Sequence, residues 1–141
     1  TEAGRKWITE LIGKVFPTHT EYSLSDHENV PNPEVKRYTL GYVPEGFSIE
    51  VEEYDELDCF LVYMNEDGLF FRLHVIGPSG VVQVDTENVD SREQVFINGE
   101  QAELVTKNIV TSIVWSTDEV MFFLDGSIDK TELIRIANNI Q

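Results

Sequence analysis

The chain has 141 residues and a mass of 16.1 kDa, a length that suits one domain. Its 41% hydrophobic and 11% aromatic content sets it apart from disordered acidic chains. Ten Lys and Arg against 26 Asp and Glu leave a charge of −16 and a pI near 4.3, which excludes a nucleic-acid binder and disfavours adhesion to anionic lipid.

In chain order, the first predicted element is a helix over 4–16. Trp7, Ile8, Leu11, Ile12, Val15 and Phe16 recur at helical spacing, and Pro17 stops the run. Residues 18–36 are polar, carry prolines at 31 and 33, and read as an irregular connector. From Tyr38 the period changes. Ile49 and Val51 alternate with Glu50 and Glu52 across a strand at 48–53. Strands at 59–64 and 69–75 flank Asn65-Glu66-Asp67-Gly68, a hairpin turn by composition. A strand at 81–85 follows the breaker Gly77-Pro78-Ser79-Gly80. Strands at 93–97 and 101–106 flank Asn98-Gly99, whose residues tolerate positive φ. Strands at 109–115 and 120–124 flank Ser116-Thr117-Asp118-Glu119. The chain closes on a second helix. Asp129 stands as N-cap with Glu132 three positions on, ahead of an apolar face of Leu133, Ile134, Ile136, Ala137 and Ile140. The pattern predicts an α+β fold: an antiparallel meander of about eight strands, with an N-terminal and a C-terminal helix packed on it. It divides into residues 1–37, helix and connector, and residues 38–141, the main domain, together one compact unit.

Cys59 is the single cysteine, which excludes an intrachain disulfide and a cysteine-built zinc site. It sits in a strand-like run with no neighbouring His or Lys to activate it, and reads as a small buried hydrophobe. The longest apolar run, Val120 to Leu124, is far short of a membrane span. The chain opens Thr1-Glu2-Ala3 without an initiator Met, so it reads as a processed or excised part of something longer, with room for a membrane anchor upstream.

The acid is concentrated. Residues 48–106 carry 14 acidic and two basic groups. Glu50, Glu52, Glu53, Asp55, Glu56 and Asp58 fall within nine positions, a candidate patch for a basic partner or a cation. The segment holds no glycine to bend it around an ion, so a solvated strand face and loop is the simpler reading. Asp85 to Asp90 resembles half an EF-hand loop but lacks its sixth-position glycine and closing Glu. His19 and His27, beside Glu21, Asp26 and Glu28, form a conceivable surface metal site, though solvated loop histidines are the commoner case. His74 lies on the strand face opposite Leu73 and Val75 and reads as a hydrogen-bonded structural histidine. Phosphate-loop, dinucleotide, nucleophile-elbow and zinc-protease signatures are absent. No catalytic residue, cofactor or metal site is therefore assigned, and the chain reads as non-enzymatic.

One likeness runs through the second part of the chain. Tyr42-Val43-Pro44-Glu45-Gly46-Phe47 resembles the "Y-x-P-E-G-[YF]" opening of the bacterial domain of unknown function 4367 family. Tyr63 to Gly68 is similar to its "Y-x-N-x-[DN]-G" hairpin, and Asp85-Thr86-Glu87 to its "D-T-E" segment. Ile97 to Ala102 is similar to "I-N-G-x-x-[AG]", Ile113-Val114-Trp115 to "[LI]-[IV]-W", and 126–137 to its closing helix. The likeness covers roughly residues 38–141. It implies an extracytoplasmic domain of a membrane protein resembling anti-sigma factors, with a sensory or protein-interaction role and a protein or small ligand as partner. A secreted or lipid-anchored small-molecule binding module is the alternative, and a carboxylate-dependent hydrolase the third. The signature residues Tyr42, Pro44, Gly46, Phe47, Asn98, Gly99 and Trp115 read as structural. Pro44 and Gly46 fix a turn, Phe47 plugs the core, and Trp115 anchors sheet to helix while remaining able to line a pocket.

Overall fold

A computed structural model describes residues 11–15, 19–24, 37–55, 58–77, 80–117 and 119–141. It contains ten strands: β1 (Leu11–Val15), β2 (His19–Leu24), β3 (Ser48–Tyr54), β4 (Asp58–Met64), β5 (Phe70–Ile76), β6 (Val81–Asp85), β7 (Ser91–Ile97), β8 (Glu100–Lys107), β9 (Val110–Ser116) and β10 (Met121–Gly126). One helix, α1 (Lys130–Ala137), follows among the described residues.

Seven strands form an antiparallel sheet in the order β3-β4-β5-β10-β9-β8-β7. Two consecutive meanders, β3-β4-β5 and β7-β8-β9-β10, are joined side by side where β10 pairs with β5. Between them β6 leaves the sheet and completes a second one, β1-β2-β6. The layering follows from the sequence of β9 and β10. Ile113 and Trp115 point to one face and Val114 to the other, and all three are buried. The apolar run of β10 likewise divides, with Phe122 and Leu124 on one side and Met121 on the other. A strand apolar on both faces belongs in the middle of a layered structure.

The first face carries the larger core. Cys59, Leu61, Phe71, Leu73, Leu104 and Ile113 meet Leu133, Ile136 and Ala137 of α1. Cys59 is fully buried, as the small-hydrophobe reading requires. Phe47 packs against this core with its ring 5.5 Å from that of Phe71. On the second face Val105, Val114 and Met121 meet Tyr22, Leu24, Val82 and Val84 of the small sheet.

Two expectations for the N-terminal region need correction. The described part of the predicted helix, Leu11–Val15, is a strand paired antiparallel with β2, Leu11 opposite Leu24 and Val15 opposite Thr20. Residues 1–10 and 16 lie outside the described residues. Gly13 shows why a ladder suits this run: a Cβ there would come 3.2 Å from the Tyr22 ring, so the bare backbone lies against the aromatic. The expected irregular connector contains β2, whose alternation buries Thr20, Tyr22 and Leu24 and leaves His19, Glu21 and Ser23 partly exposed. In place of a single eight-stranded meander the described residues form two sheets, of seven and three strands, and α1 is the helix among them.

Two of the predicted turns, Asn98-Gly99 and Asn65 to Gly68, form as read; those at 77–80 and 116–119 include residues outside the described ones. Asn98 and Gly99 take φ of 50° and 83° between β7 and β8. Asn65 accepts the amides of Asp67 and Leu69 on its side chain, and Gly68 takes φ of 81°. A further two-residue turn, with Asn108 at φ of 56°, joins β8 to β9. Asp129 is the N-cap of α1 as expected, but its side chain makes no cap hydrogen bond. Glu132 does not complete a capping box, because its carboxylate accepts the Tyr42 hydroxyl at 2.6 Å.

Candidate functional site

Hairpin topology brings three chain segments to one end of the large sheet: the start of β8, the end of β9 and the lead into β10. The β8–β9 ladder runs from Lys107 opposite Val110 to Glu103 opposite Val114 and stops there. Beyond that point the C-terminal end of the chain closes over the sheet. Segment 39–41 and the last residues hydrogen-bond in both directions, Thr39 N–H to Gln141 C=O at 3.1 Å and Gln141 N–H to Thr39 C=O at 2.8 Å, around a bridge of Leu40 to Ile140. Asn138 at the C-cap accepts the Asn98 amide on its side chain at 2.8 Å, tying α1 to the β7–β8 turn.

These elements enclose a cleft of about 470 Å³. Trp115, Phe122 and Tyr38 supply its aromatic wall. Trp115 stacks on Phe122 at 5.0 Å with the planes 9° apart, and Tyr38 meets Phe122 edge-on at 5.4 Å. The rim is polar, with Glu100, Glu119, Thr117 and Asn98 around the opening. Thr117 shapes that rim, because its hydroxyl accepts the amides of Glu119 and Val120 at 3.3 Å. Burial pushes the Tyr38 phenol up, and the charges of Glu119 and Cys59 push it the same way. The negative field of Glu119 therefore reaches the aromatic wall.

The signature residues separate by role. Tyr42 is the docking post for α1: it donates to Glu132, and the Arg135 guanidinium lies 3.9 Å above its ring. Both contacts act on the Tyr42 phenol, the Glu132 hydrogen bond raising its pKa most and the Arg135 charge lowering it. Pro44 and Gly46 frame a turn in which Pro44 C=O accepts the Phe47 amide at 3.3 Å and Gly46 takes φ of 89°. Asn98 and Trp115 reach the cleft; Gly99 serves the hairpin. Of the cleft residues, Tyr38, Glu100 and Glu119 carried no signal as a group in the sequence. Their convergence appears only once β8, β9 and β10 are known to be neighbours.

The described members of the acidic stretch follow β3 and the turn into β4. Glu50, Glu52 and Glu53 lie along β3, an edge strand with a bulge between Ile49 and Val51. Glu52 accepts the Tyr54 hydroxyl at 2.7 Å and the Arg37 guanidinium at 3.4 Å. Asp55 caps the turn into β4 by accepting the Asp58 amide at 2.9 Å, and Asp58 pairs with His74 at 3.1 Å. His74 also meets the Phe60 ring edge-on at 5.4 Å, the setting of a hydrogen-bonded histidine on a sheet. Glu56 and His27 lie outside the described residues. His19 contacts Glu21 at 3.2 Å on β2. Among the described residues no three His, Cys, Asp or Glu side chains gather as a metal site would require. Asp85 is held below the usual carboxylate range by the Lys107 ammonium and the Glu87 amide.

On the opposite face a second cleft of about 460 Å³ opens between the two sheets. Its walls hold Arg72, Lys107, Asp85 and Asp125, so both charge signs are present. Arg72 grips the buried Asp125 with two hydrogen bonds, at 3.0 and 2.5 Å. Among the described residues no helix is long and apolar enough to cross a membrane.

Fold and cleft together define an antiparallel α+β domain of two sheets, with a C-terminal helix closing an aromatic cleft at one end of the larger sheet. The chain belongs to the family described as Domain of unknown function (DUF4367), whose model matches residues 37–140. No curated protein and no solved structure matches it.

Proposed function

We propose that this chain is a non-enzymatic sensory or protein-interaction domain, working on the outer side of a bacterial membrane within a regulator similar to the anti-sigma factors. Family membership supports the setting, and the aromatic cleft is the observation that carries the role. Its walls come from α1, the C-terminal bridge and the ends of four strands, β7 to β10. An occupant touches all of them at once, so binding favours the docked arrangement over any in which the C-terminal end lifts away. Contact is thereby converted into a change in how firmly the domain's ends are held. The test is cross-linking in intact cells with a membrane-impermeant reagent applied to the full-length protein. A discrete adduct to this domain is expected; a domain that reacts with nothing outside the cell overturns the proposal.

Trp115 in the cleft wall gives specific support to a second reading, a secreted or lipid-anchored small-molecule binding module. Mass spectrometry of the natively purified protein shows a retained ligand if this reading holds, and a retained ligand without any cellular cross-link to a protein separates it from the first. A hydrolase acting through Glu100 and Glu119 is the third reading. Turnover of a glycoside panel that is lost in Glu119→Gln distinguishes it.

A further inference from the structure

The two clefts are nearly equal in size and differ in charge. The one between the sheets mixes Arg72 and Lys107 with Asp85 and Asp125. The aromatic one has Glu100 and Glu119 at its rim and, among the described residues, no Lys or Arg in its lining. Acidity is therefore a property of this cleft beyond the protein's overall charge. Its wall is also of a particular kind. Trp115 and Phe122 stack with Tyr38 edge-on to Phe122, an aromatic wall that favours a cation or an apolar body over an anion. Carboxylates at the mouth hold a positive head there, and the aromatics within give an apolar body something to pack on. A volume of about 470 Å³ suits a small molecule.

We infer that the cleft selects a small organic cation, an ammonium or guanidinium head carried on an apolar body. The inference rests on the binding role proposed above and names the ligand class of that site. An anion would meet Glu100 and Glu119 with no compensating positive side chain among the described residues of the lining.

The test is a two-dimensional amide NMR titration of the 141-residue chain with three probes of one skeleton: phenethylamine, 2-phenylethanol and 3-phenylpropionate. Phenethylamine is expected to shift the Trp115 indole and the Val120 and Ala137 amides, and to bind about tenfold more tightly than the alcohol. Raised salt weakens the amine and leaves the alcohol unchanged. Glu119→Gln and Glu100→Gln, both at exposed positions, each reduce the preference for the amine. Equal binding of amine and alcohol overturns the charge selectivity and leaves the cleft as a binding site. Tighter binding of the propionate overturns it as well. If no probe shifts the cleft resonances, the cation inference falls together with the small-ligand reading, while the cellular cross-link still decides the contact reading independently.

Discussion

Tyr22 reaches across the sandwich to donate its hydroxyl to Glu103, the same carboxylate oxygen that accepts Nε and Nη2 of Arg92 at 3.1 and 2.8 Å. Arg92 goes on to Thr20 at 3.1 Å, and Thr20 meets Thr86 at 2.9 Å. This chain of polar contacts fastens the small sheet to the large one at a point where both partners are partly buried. Tyr22→Phe keeps the ring in the core and deletes one charge-assisted bond, so urea unfolding is expected to show a loss of about 1–2 kcal/mol. Glycines separate into two kinds by the same reasoning. A Cβ at Gly126 would lie 2.5 Å from the Phe70 carbonyl oxygen and 2.9 Å from Phe71 Cα, backbone that cannot step aside. Gly126→Ala is expected to cost about 3 kcal/mol. At Gly99 there is open space, and the strain is conformational only, from φ of 83°. Gly99→Ala is expected to cost about 1 kcal/mol, and the ranking of the two in one denaturation series is the check. Burial also pushes the Cys59 thiol and the Tyr38 phenol up, so the folded chain holds both protons more tightly than the unfolded chain does. That stabilisation is complete below the ordinary thiol and phenol values. It is lost as pH rises from roughly 8.5 to 10 and beyond through the raised folded values. Thermal melts across that range should fall in parallel with the onset of Cys59 alkylation.

At the scale of elements, α1 is short, and its side chains hold it more than its own backbone does. With no side-chain cap from Asp129, it depends on the Tyr42 hydroxyl at Glu132 in its first turn and the Tyr42 ring under Arg135 in its last. Tyr42→Ala is expected to speed amide exchange of Leu133 to Ala137 by about tenfold, while amides in β5 and β10 stay protected. This part of the fold was legible because its signals are local. Asn98-Gly99, the Asn65 to Gly68 turn and the Asp129 start of α1 depend on residues a few positions apart. The start of the chain was not legible, since Leu11, Ile12 and Val15 satisfy a helical stripe and a strand equally well. Only the pairing with β2 decides between them. The alternation of Thr20, Tyr22 and Leu24 was the available cue for β2, and polar neighbours masked it. Two sheets in place of one follow from the same gap. β6 looks like a further rung of a meander until β2 is recognised as its partner.

Across the whole molecule, part of the negative charge lies along a sheet edge. The edge strand β3 carries Glu50, Glu52 and Glu53 and a bulge, devices that discourage pairing with another chain. The cleft lies away from this edge, and its parts are drawn from residues 38 to 141, which is why no compact motif announced it. The central claim is that contact made by this domain is made there. It is tested most directly by replacing Glu100, at the rim, with a photoreactive amino acid in the full-length protein in cells, beside a control at Thr131 on the exposed side of α1. A discrete adduct from position 100 and none from position 131 is the predicted result. An adduct from position 131 with none from position 100, or none from either, contradicts the account.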